Sequence, residues 1–485
     1  MKTPQVLTVL LALLCMAFSF AQDPPQNDNA IRQAVQSAVG IYRAGKLDEA
    51  ISAFESLQEK APENPDVLAW LGFLYLRREV PAKAVPVLEK AAAIRPKDLE
   101  VLNNLGNAYV ATGENGKALE MYRKVAELSP KMFEPWYNIG NILLAEKDYP
   151  KAFDAFKKAA GLKSDDAFVQ NNLGATYEAL KQTEQAAAAY LRAATLRPDN
   201  RIFARNAAFA YLRLRQDTKA LPFLEKAAAD PKDASVVLAL AECYSRLNRR
   251  ADALRLLESM QTDLGANATF WFNLGVLRNE AGEAEGAEIA YRNALQIDEN
   301  DPDTLNNLGL LLFKQRKYDE AADLFGRLAG IATANTSAKL NQASALAMAG
   351  KLTRATEIWK EVVKAEPSKL DARLDLAAAL WKLGDKEGAK YHYTQVLMQD
   401  KANARAMNGL GLWNLDEAKN TEAETYFRQA IAAKKDYLPA YVNLAVTLEK
   451  LNRRADAIKV LEQALKIDPK NEDAKKNLAR MKGAG

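Results

Sequence analysis

One histidine, His392, and two cysteines, Cys15 and Cys243, are the whole supply of imidazole and thiol in 485 residues. That scarcity excludes a four-ligand zinc centre built from His and Cys alone, and leaves His392 as the one imidazole that could activate a nucleophile. Cys15 lies inside the apolar run "VLTVLLALLCMAF", which follows the lone cation Lys2 and precedes Ser19-Phe20-Ala21. A cationic start, a short apolar core and small residues at the two inspected positions read as a secretory signal peptide over residues 1–21, cleaved after Ala21. The run is shorter than the ~20 residues of a spanning helix, and no later segment is uniformly apolar, so the mature chain is expected to carry no membrane span. Cleavage leaves Cys243 alone, without a partner for an intramolecular disulfide even in an oxidising compartment. The expectation is an exported protein, periplasmic or secreted, of a bacterial type. Residues 22–30, "QDPPQNDNA", are polar and proline-bearing and are expected to form a disordered leader.

Blocks of one charge are missing too. The 66 basic and 62 acidic residues are interspersed, for a net charge of +4, so nothing calls for nucleic acid. There is no glycine-rich phosphate loop, no metal-spaced His/Cys cluster and no nucleophile elbow. His392 occupies a place that equivalent segments give to alanine, valine, phenylalanine, leucine or isoleucine, and Cys243 falls among small residues such as Ala108, Thr176, Ala210 and Ala345. Both read as fillers. No catalytic residue, metal or cofactor is expected, and the chain reads as a non-enzyme.

What the sequence has instead is a period. Ala50, Ala84, Ala118, Ala152, Ala186 and Ala220 stand 34 residues apart, and Ala253, Ala287, Ala321, Ala355, Ala389, Ala423 and Ala457 continue the series after one step of 33. Twelve residues ahead of each is another small residue, among them Gly72, Gly106, Gly140, Gly174, Gly275, Gly309 and Gly411. Around them apolar residues recur at helical spacing, as in Leu102, Leu105 and Tyr109, then Tyr122 and Val125. Each unit therefore reads as two amphipathic helices packed antiparallel, with the small residues where the backbones approach. Glycine opens the intervening turn in five units (Gly45, Gly113, Gly282, Gly350, Gly384), and proline often closes the second helix, as in "RPKD" at 95 and "DPKN" at 468.

This pattern resembles the tetratricopeptide repeat, a 34-residue helix-turn-helix family. The resemblance covers thirteen units: 31–64, 65–98, 99–132, 133–166, 167–200, 201–233, 234–267, 268–301, 302–335, 336–369, 370–403, 404–437 and 438–471. Residues 472–485 read as a capping helix and tail. The implied fold is all-α, a right-handed solenoid superhelix. The deletion near "DPKDAS", between repeats 6 and 7, is expected to change its twist.

The resemblance also implies that positions 2, 6, 9 and 13 of each first helix line a concave surface. Position 6 is asparagine in eight repeats: Asn104, Asn138, Asn172, Asn206, Asn273, Asn307, Asn341 and Asn443. An asparagine side chain can pair with both the N–H and the C=O of a backbone laid across it. Similar asparagines form a peptide-holding ladder in the repeat domain of the O-linked N-acetylglucosamine transferases, and no counterpart of their catalytic half is expected here. Large apolar groups on the same helices (Trp70, Phe73, Tyr137, Phe209, with Phe272, Phe313 and Trp381) are candidate anchors. Position 13 is basic in seven repeats (Arg43, Arg77, Arg213, Arg246, Lys314, Lys382, Lys450), which favours an acidic partner. The expected function is a cell-envelope scaffold that binds other proteins or extended peptide segments. The alternative is a substrate-recruiting or regulatory subunit of an envelope enzyme, such as a glycosyltransferase or polysaccharide exporter.

Overall fold

The computed structural model describes residues 26–229, 233–331 and 335–483. Among them thirteen helix pairs follow one another, and a last helix, Glu472–Lys482, closes the series. The chain divides into two compact units, Met1–Ala229 and Asp230–Gly485. The signal segment 1–21 and the centre of the shortened step, residues 230–232, lie outside the described residues. The first helix, Gln26–Arg43, takes in residues 26–30 of the stretch assigned to a polar leader. The prolines of that stretch, Pro24 and Pro25, end just before the helix, and residues 26–30 contain neither proline nor glycine to break it.

Most first helices are started by the residue before them. Asp98 accepts hydrogen bonds from the amides of Glu100 and Val101, both at 3.1 Å, and Asn64, Asp166, Asn200, Asp233, Asn267, Asp301, Asn335, Asn403 and Asn471 cap their helices in the same way. Such caps contribute about 1 kcal/mol each. Among the described residues only Met132, Lys369 and Tyr437 stand at this place without a side-chain bond.

Each first helix also ends in one way. In repeat 3 the amide of Glu114 donates to Tyr109 O at 2.7 Å and that of Gly113 to Val110 O at 3.1 Å, with Gly113 at φ 82°. This is the Schellman closure, which needs one left-handed residue. All thirteen repeats put their fifteenth residue there, but eight do so without glycine: Glu79, Lys147, Lys181, Arg215, Asn248, Arg316, Ala418 and Asn452. A Cβ in that conformation costs ~1–2 kcal/mol, less for asparagine. Ala418→Gly is therefore expected to stabilise the fold by about 1 kcal/mol in urea denaturation, after the extra unfolded-chain entropy of glycine is offset. Asn248→Gly should change little; no gain at Ala418 would show that the turn carries no Cβ strain.

The core follows the two rulers. All thirteen period-marking alanines are fully buried. The small residue of the first helix is the seat of a large side chain sixteen positions on: a Cβ built on Gly174 would stand 2.6 Å from the Tyr190 ring, and one on Gly411 2.5 Å from the Phe427 ring. Burying such a ring is worth ~1.5–3 kcal/mol, which offsets the ~1 kcal/mol cost of a helical glycine. In repeat 7 the second helix, Arg250–Ser259, breaks off early and a four-residue turn of helix, Gln261–Leu264, follows. The terminal helix buries Ala474 and Met481, while Arg480 forks onto Glu449 at 2.7 and 2.6 Å.

Candidate functional site

First helices of neighbouring repeats touch along one layer, as Phe133–Ala145 does Ala167–Ala179 and Ala404–Asp416 does Leu438–Lys450. That contact brings asparagines of different repeats together. Asn206 donates from Nδ2 to Asn171 Oδ1 at 2.8 Å, Asn171 to Asn172 Oδ1 at 3.3 Å, and Asn172 to Asn141 Oδ1 at 2.7 Å. The result is one hydrogen-bonded row through repeats 6, 5 and 4, with every N–H directed the same way along it. One repeat earlier, the Tyr122 hydroxyl donates to Asn107 Oδ1 at 2.6 Å and also faces Asn138. The Tyr137 phenol faces Asn141 and Asn172. In the second unit Asn443 donates to Asn408 Oδ1 at 2.9 Å, and Asn307 faces the Tyr291 phenol.

Position 6 is thus not a row of equal, solvated amides. Asn104 is 5% exposed and offers little surface to a partner. Among the described residues Asn273 and Asn341 have no cross-repeat amide bond of this kind. The partners that complete the row, Asn107, Asn141, Asn171 and Asn408, stand at positions 5 and 9. Reading position 6 alone misses them, although the phrases "NNLGN" and "NIGN" carry Asn107 and Asn141, and "NNLGA" and "NGLG" open on Asn171 and Asn408.

The anchor candidates are half-buried rather than freestanding. Trp70 and Phe73 meet edge-on at 5.6 Å, and Tyr42 touches both, at 6.1 and 5.6 Å. Tyr137 stacks on Phe133 at 5.7 Å, and the guanidinium of Arg205 lies 5.5 Å from the centre of the Phe209 ring. Of the basic candidates, Arg77 is exposed, whereas Arg213 pairs with Glu178 of the preceding repeat and Arg246 with Glu242 of its own helix. Two of those three charges are therefore already answered within the protein. Glu178 also accepts the Tyr190 hydroxyl at 3.0 Å.

Burial and the nearby Arg373 and Lys360 cations hold the His392 imidazole below its usual pKa, so it is neutral at pH 7. Cys243 is fully buried. Among the described residues no three His, Cys, Asp or Glu side chains cluster closely enough to hold a metal ion, and no helix is long and apolar enough to cross a membrane. What the site offers is hydrogen-bonding capacity, aromatic faces and a few cations.

Stacked helix hairpins with a row of amides along one layer define a helical-repeat protein. Family profiles described as "Tetratricopeptide repeat" match residues 42–98, 103–167, 306–369, 340–397 and 374–437, residues 212–268 and 414–481, and residues 169–200 and 268–301. The chain belongs to the tetratricopeptide repeat family. It is 24% identical over 213 residues to the human protein O-mannosyl-transferase TMTC1, a match covering 43% of this chain and 24% of that one. It is 28% identical over 167 residues to cellulose synthase operon protein C of Xanthomonas axonopodis, covering 32% of this chain and 11% of that one. These matches span a quarter or less of the relatives' own lengths. A solved tetratricopeptide repeat protein from Parabacteroides merdae is 16% identical, with 51% of this chain and 99% of that one covered and a TM-score of 0.38.

Proposed function

We propose that this chain is an exported, non-catalytic scaffold of the cell envelope that binds extended segments of partner proteins along the first-helix layer. The family is one of protein-interaction repeats, and the observation that carries the finer reading is the row Asn206–Asn171–Asn172–Asn141. An asparagine amide has two N–H donors and two acceptor lone pairs. Asn172 spends one of each inside the row and turns toward the Tyr137 phenol, and its Oδ1 keeps a lone pair for the N–H of a crossing peptide group. Packed helices lie ~8–10 Å apart and an extended chain advances ~3.3–3.6 Å per residue, so one rung meets about every third residue. The bonds within the row hold the rungs still before a partner arrives, which lowers the ordering cost of binding.

The test is the triple variant N138A/N172A/N206A against a library of neutral extended peptides. Three lost bonds of ~0.5–1.5 kcal/mol each predict affinity weaker by a factor of about 10 to 1,000. Circular dichroism must show the helices retained, since the same residues also join repeats. Unchanged affinity in a folded triple variant would falsify the ladder.

A second reading draws on the relatives' names, a mannosyl-transferase and a cellulose synthase operon protein. On that reading the chain recruits substrate for an enzyme carried by another polypeptide. Co-purification from the native envelope separates the two: one stoichiometric enzyme supports recruitment, and a range of unstructured clients supports the general scaffold.

A further inference from the structure

The ladder leaves out repeats 1 and 2, where position 6 is Gln36 and Trp70. Their first helices, Gln26–Arg43 and Pro65–Arg77, carry a different chemistry. Tyr42, Trp70 and Phe73 form a three-ring cluster, and Trp70 is stacked at 6.0 Å and 17° on Phe54, which is fully buried. The core therefore fixes the cluster from below, while all three rings keep part of their surface open. The same two helices carry two exposed arginines, Arg43 directly after Tyr42 in the chain and Arg77 one helical turn beyond Phe73.

Nothing on these two helices answers those charges. Residues 29–43 contain no acid. The one acid of the second helix, Asp66, is held by Arg95 at 2.7 Å. The acids of the intervening helix that lie near the turn are likewise taken, Asp48 by Arg78 at 2.7 Å and Glu49 by Lys46 at 3.0 Å. Among the described residues neither Arg43 nor Arg77 has an ion-pair partner. A fixed aromatic surface rimmed by unanswered cations is complementary to an apolar side chain flanked by carboxylates.

We infer that repeats 1 and 2 form a second binding site, separate from the amide row, for a partner-protein segment with an aliphatic or aromatic anchor between acidic residues. The anchor seats on Trp70 and Phe73, and the flanking carboxylates meet Arg43 and Arg77. Both are arginine, whose planar fork suits bidentate pairing with a carboxylate and lies flat beside a ring. The inference rests on the proposed role in binding protein segments and adds to it a distinct place and a chemical class.

The test uses the full chain and a short fluorescein-labelled peptide with a central Phe-Leu pair flanked on both sides by Asp-Glu, read by fluorescence anisotropy. Two controls replace the acids by lysine or the Phe-Leu pair by Gly-Ser. The native chain should prefer the acidic probe to either control by about tenfold or more at low salt, with the margin shrinking as salt is raised. R43E/R77E changes only exposed side chains and should invert the charge preference, so that the lysine probe now binds better. N138A/N172A/N206A should keep the native preference. The inference is overturned if the native chain does not discriminate among the three probes, if R43E/R77E keeps the acidic preference, or if the ladder variant loses it. Failure of the ladder variant on neutral peptides is a separate readout, so the two sites stand or fall independently.

Discussion

Replacing Phe156 by alanine is expected to cost about 3–5 kcal/mol, among the largest losses a single truncation can cause in this fold. The ring is fully buried, seated on Gly140 so closely that a Cβ there would stand 2.6 Å from it. It also supports the Tyr137 ring from beneath, at 6.2 Å and 60°. Because the seat is a glycine, it has no side chain of its own to fill the space, so the cavity term is large. Stability in a repeat array is a sum of local and nearest-neighbour terms, so the damage should concentrate in repeats 3 to 5. Hydrogen exchange should show protection lost over residues 133–179, and the urea midpoint should fall. The functional consequence runs through Tyr137, whose phenol faces Asn141 and Asn172. With its support gone the amide row loses its alignment, and affinity for neutral extended peptides should drop although every asparagine is still present. Phe427→Ala, equally buried in repeat 12, is the control: it should cost a similar amount, expose residues 404–450 instead, and leave protection at 133–179 unchanged. If Phe156→Ala lowers stability but leaves peptide binding intact, the row does not depend on the core beneath it.

How much of this was legible in the sequence depends on whether a role repeats with an unmistakable residue type. The alanine and glycine rulers are legible because close packing admits nothing larger, so Ala118 or Gly174 could hardly be anything else. The fifteenth position is legible only where it is Gly45, Gly113, Gly282, Gly350 or Gly384. Lys147 and Ala418 take the same left-handed conformation with no signal in their residue type, since the Schellman bonds impose it from outside. The caps were within reach: an Asn or Asp closing ten units ahead of a helix is the ordinary start signal, overshadowed by the prolines beside it. The amide row was half legible. Asn172 and Asn206 mark it, but their acceptors Asn141 and Asn171 are set by which repeats adjoin, a matter of three dimensions. Burial of Asn104 and internal pairing of Arg213 depend equally on neighbours. A periodic sequence announces its scaffold loudly and its binding surface faintly, because the surface is made where repeats differ.

Those differences also set the chain's response to alkali, the second large effect expected. Burial raises the phenol of Tyr291 to about 12, with the Glu280 charge adding to the rise, and burial likewise raises that of Tyr393 to about 12. Below pH ~10, the ordinary tyrosine value, both phenols are protonated whether the chain is folded or not, and their full contribution is present. Above it the unfolded chain releases its protons first while the folded chain holds them. The native state then binds more protons than the unfolded one, so stability falls as pH rises, until the folded phenols ionise near 12. A difference of about two units corresponds to roughly 3 kcal/mol per group, and both groups lie within the second unit. Domains are commonly stable by only ~5–15 kcal/mol. The second unit should accordingly unfold cooperatively as the pH approaches 12, with tyrosinate absorbance and loss of helical circular dichroism rising together. Tyr393→Phe removes one of the two groups and makes no other polar change, so it should leave the urea midpoint at pH 7 nearly unaltered and raise it at pH 11. If tyrosinate absorbance instead develops while the helices persist, these phenols reach water in the folded state and the burial that seats them on the small residues of the first helices is not the cause of their shift.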